Sequence, residues 1–200
     1  MTKQSPLFNI NLSTGVEPGE GTLLVAEPFL RENYFNHAVI MMIEYEPGAT
    51  AMGTVLNIES EYTLDRILDG VTTKNPVRVY CGGPVAGDRL YFMHTFGDLI
   101  PETRPVAPGL YVGGDFDTVL SIINEGYDIE GHIRFFVGYS GWSPGQLEEE
   151  ISKKVWAVTL PGDPRALLSR SGDTLWHDEV RRLGPDYRGW RYHPKDIMAN

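Results

Sequence analysis

The segment IRFFVGYSGWSPGQLEEEI, residues 133–151, constrains the fold more than any other part of the chain. The apolar run at residues 133–137 predicts a strand, and the glycines of residues 138–142 predict a turn directly after it. Ser143 is a suitable helix N-cap, and Gln146 stands where a capping box places Glu or Gln. The segment therefore predicts a strand, a glycine turn and a capped helix as one folding unit.

Charged residues of the predicted helix are spaced for local pairing. Glu149 with Lys153, and Glu150 with Lys154, stand four residues apart, so that each pair lies on one side of a helix. The run of three carboxylates at residues 148–150 is typical of a solvated helix face. We therefore do not predict an acid–base pair there.

The rest of the chain indicates many short elements. The apolar runs 38–43 and 51–57, with a turn between them, predict an antiparallel pair of strands. Asp115 is predicted to cap a helix, and Asp163-Pro164 to open another. Residues 96–108 are rich in turn residues.

The composition agrees with many short elements. With 22 glycines and 14 prolines in 200 residues, turns are frequent, which favours a sheet-rich fold over a helical bundle. About seven strands and a few short helices do not alternate regularly enough for a doubly wound sheet. We predict an α+β fold with a mixed, strongly curved β-sheet. Residues 1–20 are predicted to be a flexible arm, and residues 21–200 a single domain.

Charge and cysteine content limit the partners. The net charge of −10 repels phosphate backbones and acidic membranes, so we expect no tight duplex DNA binding and no membrane association. The single Cys81 excludes an internal disulfide and fits a reducing compartment. The first residues lack the apolar core of a signal peptide, and no apolar run reaches the length of a membrane span. We therefore predict a cytoplasmic protein.

Four segments together resemble the bacterial YqgE/AlgH family: GTLLVAEPFL at 21–30, AMGTVLN at 51–57, CGGPVAGDRLYFMHT at 81–95 and GYSGWSPGQLEEEI at 138–151. The resemblance implies a mixed sheet that forms a pseudo-barrel flanked by short helices. It implies little about activity, although some members are labelled transcriptional regulators. Where many members have Glu-His after the second strand, this chain has Glu44-Tyr45, so a role for an imidazole cannot be carried over.

Two glycine motifs invite a chemical interpretation. The order Gly-x-Ser around Ser140 is similar to a nucleophile elbow, but Trp142 replaces the second glycine that such an elbow requires. The pair Gly82-Gly83 has backbone N–H groups suited to an anion, but no phosphate-binding fingerprint surrounds it. Structural turns are the favoured interpretation of both motifs. No catalytic residue is predicted.

The histidines and the C-terminal arginines give no strong signal. The five histidines lack the spacing of metal ligands, so neither a metal nor a cofactor is predicted. His94, on an apolar strand face, is favoured as a hydrogen-bonded core residue over a ligand or base. The arginines and aromatic residues of 177–195 suit single-stranded nucleic acid, but packing of these aromatic residues back onto the domain is favoured.

Several chemically distinctive residues stand near predicted strand ends, where a curved sheet opens. We hypothesise that they line one cleft at the sheet rim; the alternative, that each turn serves its own hairpin, stays open. The candidates are Asn57, Gly82, Gly83, Asp88, His94, Tyr139 and Trp142.

The function that these features favour is that of a non-enzymatic binding or regulatory protein. Its partner is an unknown protein or small molecule, and the chain is expected to be a monomer or weak homo-oligomer. The alternative is a small-molecule-binding protein or enzyme that uses the cleft at the sheet rim.

Overall fold

The computed structural model describes residues 12–31, 34–73 and 75–193, and these form ten strands, five α-helices and one 3₁₀-helix. The strands are β1 (Leu23–Ala26), β2 (Val39–Glu44), β3 (Ala51–Val55), β4 (Glu59–Thr63), β5 (Arg78–Cys81), β6 (Val85–His94), β7 (Arg104–Ala107), β8 (Leu110–Val112), β9 (Ile133–Trp142) and β10 (Trp156–Thr159). The helices are α1 (Leu64–Ile67), α2 (Phe116–Asn124), α3 (Gln146–Ser152), α4 (Pro164–Ser169), α5 (Gly172–Arg182) and the 3₁₀-helix Pro185–Tyr192.

All ten strands belong to one curled sheet. The main path runs β10-β1-β2-β3-β9-β6-β8-β7, and β5 joins β9 while carrying β4 on its own other edge. The pairing of β5 with β9 is parallel, whereas the other pairings are antiparallel. The predicted α+β fold with a mixed, curved sheet is confirmed, and its shape is that of a half-barrel flanked by short helices.

β9 is the central strand, and it corrects the predicted turn at residues 138–142. The strand continues through this segment as far as Trp142, because β3 replaces β5 as its neighbour: Gly53 pairs with Ser140, and Ala51 with Trp142. The segment is therefore strand, although its two glycines indicate a turn when only local sequence is considered.

The predicted Ser143 cap is also wrong. α3 begins at Gln146 after Gly145, whose φ of 78° lies in the left-handed region, and the side chain of Ser143 makes no capping bond. Half of the predicted capping box is present, because the Ser143 N–H donates to Gln146 Oε1 at 3.0 Å. The predicted cap Asp115 and the predicted helix start at Asp163 are confirmed, since each side chain accepts a first-turn N–H of its helix.

Gly82 and Gly83 lie where the chain passes across β9, from β5 on one edge to β6 on the other. A Cβ on Gly82 would stand 2.3 Å from Gly138 O, and a Cβ on Gly83 would stand 2.3 Å from the Tyr139 carbonyl carbon. The Gly82 N–H is used by Val137 O and the Gly82 carbonyl by the Val55 N–H. Glycine is required here because two backbones touch.

The curl brings β7 back towards β2 and the start of β1. Arg104 of β7 donates from Nη2 to the carbonyl of Ile43 at 3.1 Å. A Cβ on Gly21 would stand 2.1 Å from Val106 O, so this glycine also permits a close backbone approach. Strand β7 lies in the stretch that the sequence indicates as turns, and charged β4 was also missed. Both lack the apolar run that marks a strand.

The core covers both faces of the sheet. Inside the curl, α4 and α5 contribute Leu168 and Trp176 to the largest buried cluster. On the outside, α3 and α2 cover two further clusters, with Leu147 and Val119 buried. Tyr187 is buried in the inner cluster, and Trp190 packs edge-on against it with ring centroids 5.0 Å apart. The favoured packing of the C-terminal aromatic residues is confirmed for these two, whereas Tyr192 is 77% exposed. Lys195, the last of the tail cations, lies outside the described residues.

Candidate functional site

A pocket of about 310 Å³ opens inside the curl, between β2 and β3 on one side and β6 and β8 on the other. Most of its lining is apolar or aromatic, as is usual for small-molecule sites of this size. The lining residues are Ile43, Met52, Thr54, Leu90, Tyr91, Phe92, Met93, Arg104, Val112, Gly113, Phe136 and Tyr139.

Arg104 is the one charged side chain among these lining residues. Its Nη2 is fixed by the Ile43 carbonyl at 3.1 Å, while Nη1 forms an ion pair with the Glu20 carboxylate. The side chain is 44% exposed, so it stands where the pocket meets solvent. A guanidinium held in this way is suited to binding an anionic or carbonyl oxygen at the mouth.

Two tyrosines and a threonine supply the other polar side chains of the pocket. Tyr91 and Tyr139 meet edge-to-face with ring centroids 6.1 Å apart, and both are half-buried. Thr54 is 6% exposed. Their hydroxyl groups add neutral donors and acceptors to a mainly apolar surface.

A bulge in β6 lies beside this pocket. Val85 pairs with Tyr139 and Leu90 with Val137, so the intervening residues of β6 loop out of the ladder, and Ala86 takes a positive φ of 50°. Asp88 is exposed within this bulge and, within the described part of the chain, its side chain makes no hydrogen bond or ion pair. Bulges of this kind are common beside binding sites.

Asn57, a predicted cleft residue, is 1% exposed and serves the backbone. Its Oδ1 accepts the Val39 N–H at 2.9 Å, and its Nδ2 donates to the carbonyls of His37 at 2.8 Å and Gly172 at 2.9 Å. These bonds join β2, the end of β3 and the start of α5. Its amide is therefore committed to holding three segments together.

His94 is completely buried, with both ring nitrogens in hydrogen bonds. Nδ1 accepts the Phe96 N–H at 3.1 Å, so the proton is on Nε2, which lies 3.0 Å from Gly113 O and 2.8 Å from Thr103 Oγ1. Burial lowers the pKa of His94, and the hydrogen bond to Gly113 partly opposes this shift. The favoured interpretation as a hydrogen-bonded core histidine agrees with this environment.

Trp142 lies on the outer face, 5% exposed, in the cluster beneath α3. Its indole N–H donates to Glu150 Oε2 at 2.8 Å, and Trp156 donates to the same oxygen at 2.7 Å. Glu150 therefore belongs to a tryptophan clamp, defined as Glu150, Trp142 and Trp156. The predicted Glu150–Lys154 pair is absent from the ion pairs of the described residues, whereas Glu149–Lys153 is present.

Glu148 also departs from the predicted solvated face. It accepts the Tyr45 hydroxyl at 3.0 Å and the Gly48 N–H at 3.0 Å, which ties the β2–β3 connection to α3. Burial, followed by the bond to Glu148, raises the pKa of Tyr45 to about 12, so the phenol stays a donor. Tyr45, which stands where many members of the family have histidine, therefore has a structural role.

Ser140 is 1% exposed and donates to the Gly82 carbonyl at 3.2 Å, inside the sheet. Within the described residues, no three His, Cys, Asp or Glu side chains are placed to hold a metal ion. In the same part of the chain, no helix is both long and apolar enough to cross a bilayer.

A family model described as AlgH-like matches residues 23–188, which is most of the chain. The chain belongs to the AlgH-like family. This finding confirms the resemblance noted in the sequence.

Relatives named UPF0301 protein cover all or most of this AlgH-like chain. The protein from Parabacteroides distasonis is 38% identical over 201 residues, with 100% of both chains covered. The protein from Chlorobium luteolum is 35% identical over 168 residues, covering 84% of this chain and 87% of the relative.

Two solved structures are similar to the AlgH-like chain. The crystal structure of a Corynebacterium diphtheriae protein has a TM-score of 0.69 and 25% identity, and covers 94% of this chain and 99% of its own. The solution structure of the AlgH protein from Pseudomonas aeruginosa has a TM-score of 0.65 and 26% identity, and covers 92% and 94%.

Of the seven predicted site residues, Tyr139 alone is among the pocket-lining residues of this AlgH-like protein. Gly82 and Gly83 touch the backbone of residues 138–140, and His94 binds the lining residue Gly113, whereas Asn57 and Trp142 bind other partners. The single cleft containing all seven stays a prediction. Sequence reasoning missed Arg104, because nothing local marks an arginine whose partners come from β2 and the segment before β1.

Proposed function

We propose that this AlgH-like protein is a non-enzymatic binding protein, with a regulatory outcome, whose small ligand occupies the pocket of the curled sheet. The observation that carries the proposal is the pocket itself, with about 310 Å³ of space and a mainly apolar lining. Small-molecule sites occupy roughly 300–1,000 Å³ and combine such a lining with a few placed polar groups.

The chemistry of the lining supports binding. The polar side chains are a guanidinium, two phenols and a hydroxyl, and the lining residues include no carboxylate, imidazole or thiol. These groups hold and orient a ligand, but they do not form a nucleophile with an adjacent base. Met52 and Met93 add adaptable surface, which suits a ligand of irregular shape.

We further propose that the protein acts in the cytoplasm as a monomer or weak homo-oligomer. The single Cys81, which has no intramolecular disulfide partner, supports a reducing compartment.

Methionine methyl NMR tests the proposed binding. Met52 and Met93 line the pocket, whereas Met41 and Met42 are buried outside its lining and serve as internal controls. A fragment library should include compounds that shift the Met52 and Met93 signals in a saturable way. Val112→Trp, which adds bulk at a half-buried lining position packed against the inner cluster, should abolish these shifts. Leu99→Trp, at a 61% exposed position outside the lining, should not.

The proposal is wrong if no fragment shifts the two pocket methionines, or if folded Val112→Trp protein still binds the fragments with unchanged affinity. A folded state of each variant is checked by the dispersion of its methyl spectrum.

A further inference from the structure

We infer that the ligand is an apolar carboxylate, whose carboxyl group takes the place of Glu20 on Arg104 while its apolar body enters the pocket. This inference rests on the proposed function, because it names the chemistry of the ligand for the same pocket. Three observations carry it: the fixed guanidinium, the carboxylate already seated on it, and the apolar space behind it.

The guanidinium is positioned independently of Glu20. Its Nη2 donates to the Ile43 carbonyl at 3.1 Å, which is a bond to the backbone of β2. Departure of Glu20 from Nη1 therefore leaves Arg104 at the same place, with an unused donor edge. An arginine prepared in this way binds a carboxylate with little loss of side-chain freedom.

Glu20 shows that a carboxylate fits this edge of Arg104. The pair joins residues 84 positions apart in sequence, and both side chains are 44% exposed. Ion pairs at such exposure contribute little to stability and exchange readily with solvent or competing ions. Glu20 thus acts as an internal competitor that an external carboxylate can displace.

The apolar body is accounted for by the pocket behind Arg104. Its apolar lining includes Met52, Met93 and Phe136, which pack in the inner cluster, and Met93 and Phe136 are each 1% exposed. A ligand that carried only charge would leave this surface unfilled, and a ligand without charge would leave Arg104 paired with Glu20. An alkyl or aryl carboxylate satisfies both parts of the site.

Three probes with one apolar body isolate the charge: 4-phenylbutyrate, 4-phenylbutan-1-ol and 4-phenylbutylamine. Dissociation constants come from titration of the Met52 and Met93 methyl signals. We expect the carboxylate to bind about tenfold or more tightly than the alcohol, and the amine most weakly, because a charge-assisted hydrogen bond is gained only by the acid. The difference in affinity between the carboxylate and the alcohol should shrink as ionic strength rises.

Variants of the two charged residues identify the anchor. Arg104→Gln should reduce the affinity for the acid to that for the alcohol. Glu20→Gln should raise the affinity for the acid about two- to fivefold, because it removes the competitor, and should leave the affinity for the alcohol unchanged. Arg78→Gln is the matched control, because Arg78 also forms an exposed ion pair with a glutamate, Glu59, but lies outside the pocket.

The outcomes separate the two proposals. Equal binding of acid and alcohol to the wild-type protein, blocked by Val112→Trp, overturns the carboxylate inference and leaves small-ligand binding intact. If none of the three probes shifts the Met52 and Met93 signals, the inference is overturned. The fragment library then tests the proposed function separately. If Arg104→Gln fails to fold, Glu20→Gln still tests the inference. An unchanged or weakened affinity for the acid in that variant would contradict competition between Glu20 and the ligand carboxylate for Arg104.

Discussion

The tryptophan clamp predicts a large difference between two neighbouring glutamates of α3. We compare Glu150→Ala with Glu149→Ala. Both replace glutamate by alanine in the same helix, so the change in helix propensity is matched. Glu150 accepts both indole N–H groups, whereas Glu149 pairs only with the exposed Lys153.

The magnitude follows from the donors that are left behind. Trp142 is 5% exposed and Trp156 is 3% exposed, so each indole loses its acceptor in a mostly buried position. An unsatisfied buried donor costs about 1–3 kcal/mol, and half-exposed Glu150 leaves a path for water. We therefore expect Glu150→Ala to lower the free energy of unfolding by about 2–4 kcal/mol. Glu149→Ala should be close to wild type.

Urea unfolding measures the difference, followed in parallel by tryptophan fluorescence and far-UV circular dichroism. The midpoint should fall for Glu150→Ala with an unchanged slope, which indicates a loss of stability without a change in the exposed surface. Glu150→Gln keeps one acceptor oxygen and should lie between alanine and wild type. If Glu150→Ala unfolds within about 0.5 kcal/mol of Glu149→Ala, the clamp does not stabilise the fold as reasoned here.

Three further predictions concern single residues. Asn57→Ala leaves three backbone groups without their side-chain partner, so we expect the free energy of unfolding to fall by about 3 kcal/mol or more in the same urea assay; a loss under about 1 kcal/mol would contradict it. Gly83→Ala should yield little soluble protein, because its Cβ would stand 2.3 Å from the Tyr139 carbonyl carbon and the native φ is 148°, and normal expression with an unchanged melting temperature would show the reasoning to be wrong. The pKa of His94 is lowered by burial, so the folded protein takes up fewer protons than the unfolded chain below pH ~6.5, and this contribution to stability is lost as the pH falls from there through the folded pKa. A pH titration of the ring signals by NMR should give a midpoint below the usual histidine value of ~6.5, and a midpoint at or above that value would refute the shift.

Local sequence signals predicted the elements that depend on neighbouring residues. Asp115 and Asp163 cap their helices as expected, since a cap involves residues within one turn. The apolar runs of β2 and β3 and the turn between them identified a hairpin. The α+β class followed from the irregular order of these elements.

Contacts between distant residues account for what the sequence did not predict. Residues 138–142 contain two glycines, which locally favour a turn, but they form strand because β3 and β5 occupy one edge of β9 in succession. Gly82 and Gly83 are needed because the chain crosses that strand. No local pattern records either fact, since the partners lie more than 50 positions away in sequence.

The same limit explains the candidate site. The predicted residues were selected for being distinctive at strand ends, whereas the pocket depends on which strands the curl brings face to face. Arg104 lies in a stretch rich in turn residues, and its partners Glu20 and Ile43 are remote in sequence. Tyr139 was found because it lies in a motif of the family resemblance, although that motif gives no information about the pocket.

The central position of β9 determines when the sheet can be completed during synthesis. Strands β1, β2 and β3 pair with one another in chain order. The outer edge of β3 stays unpaired until residues 140–142 have been synthesised, and that of β1 until residues 156–159 have been synthesised. A nascent chain that ends before these residues therefore exposes two apolar, unpaired strand edges, which are templates for aggregation. The ribosome must release most of the polypeptide before the sheet closes, so we expect early truncations to need chaperones rather than to fold as smaller domains.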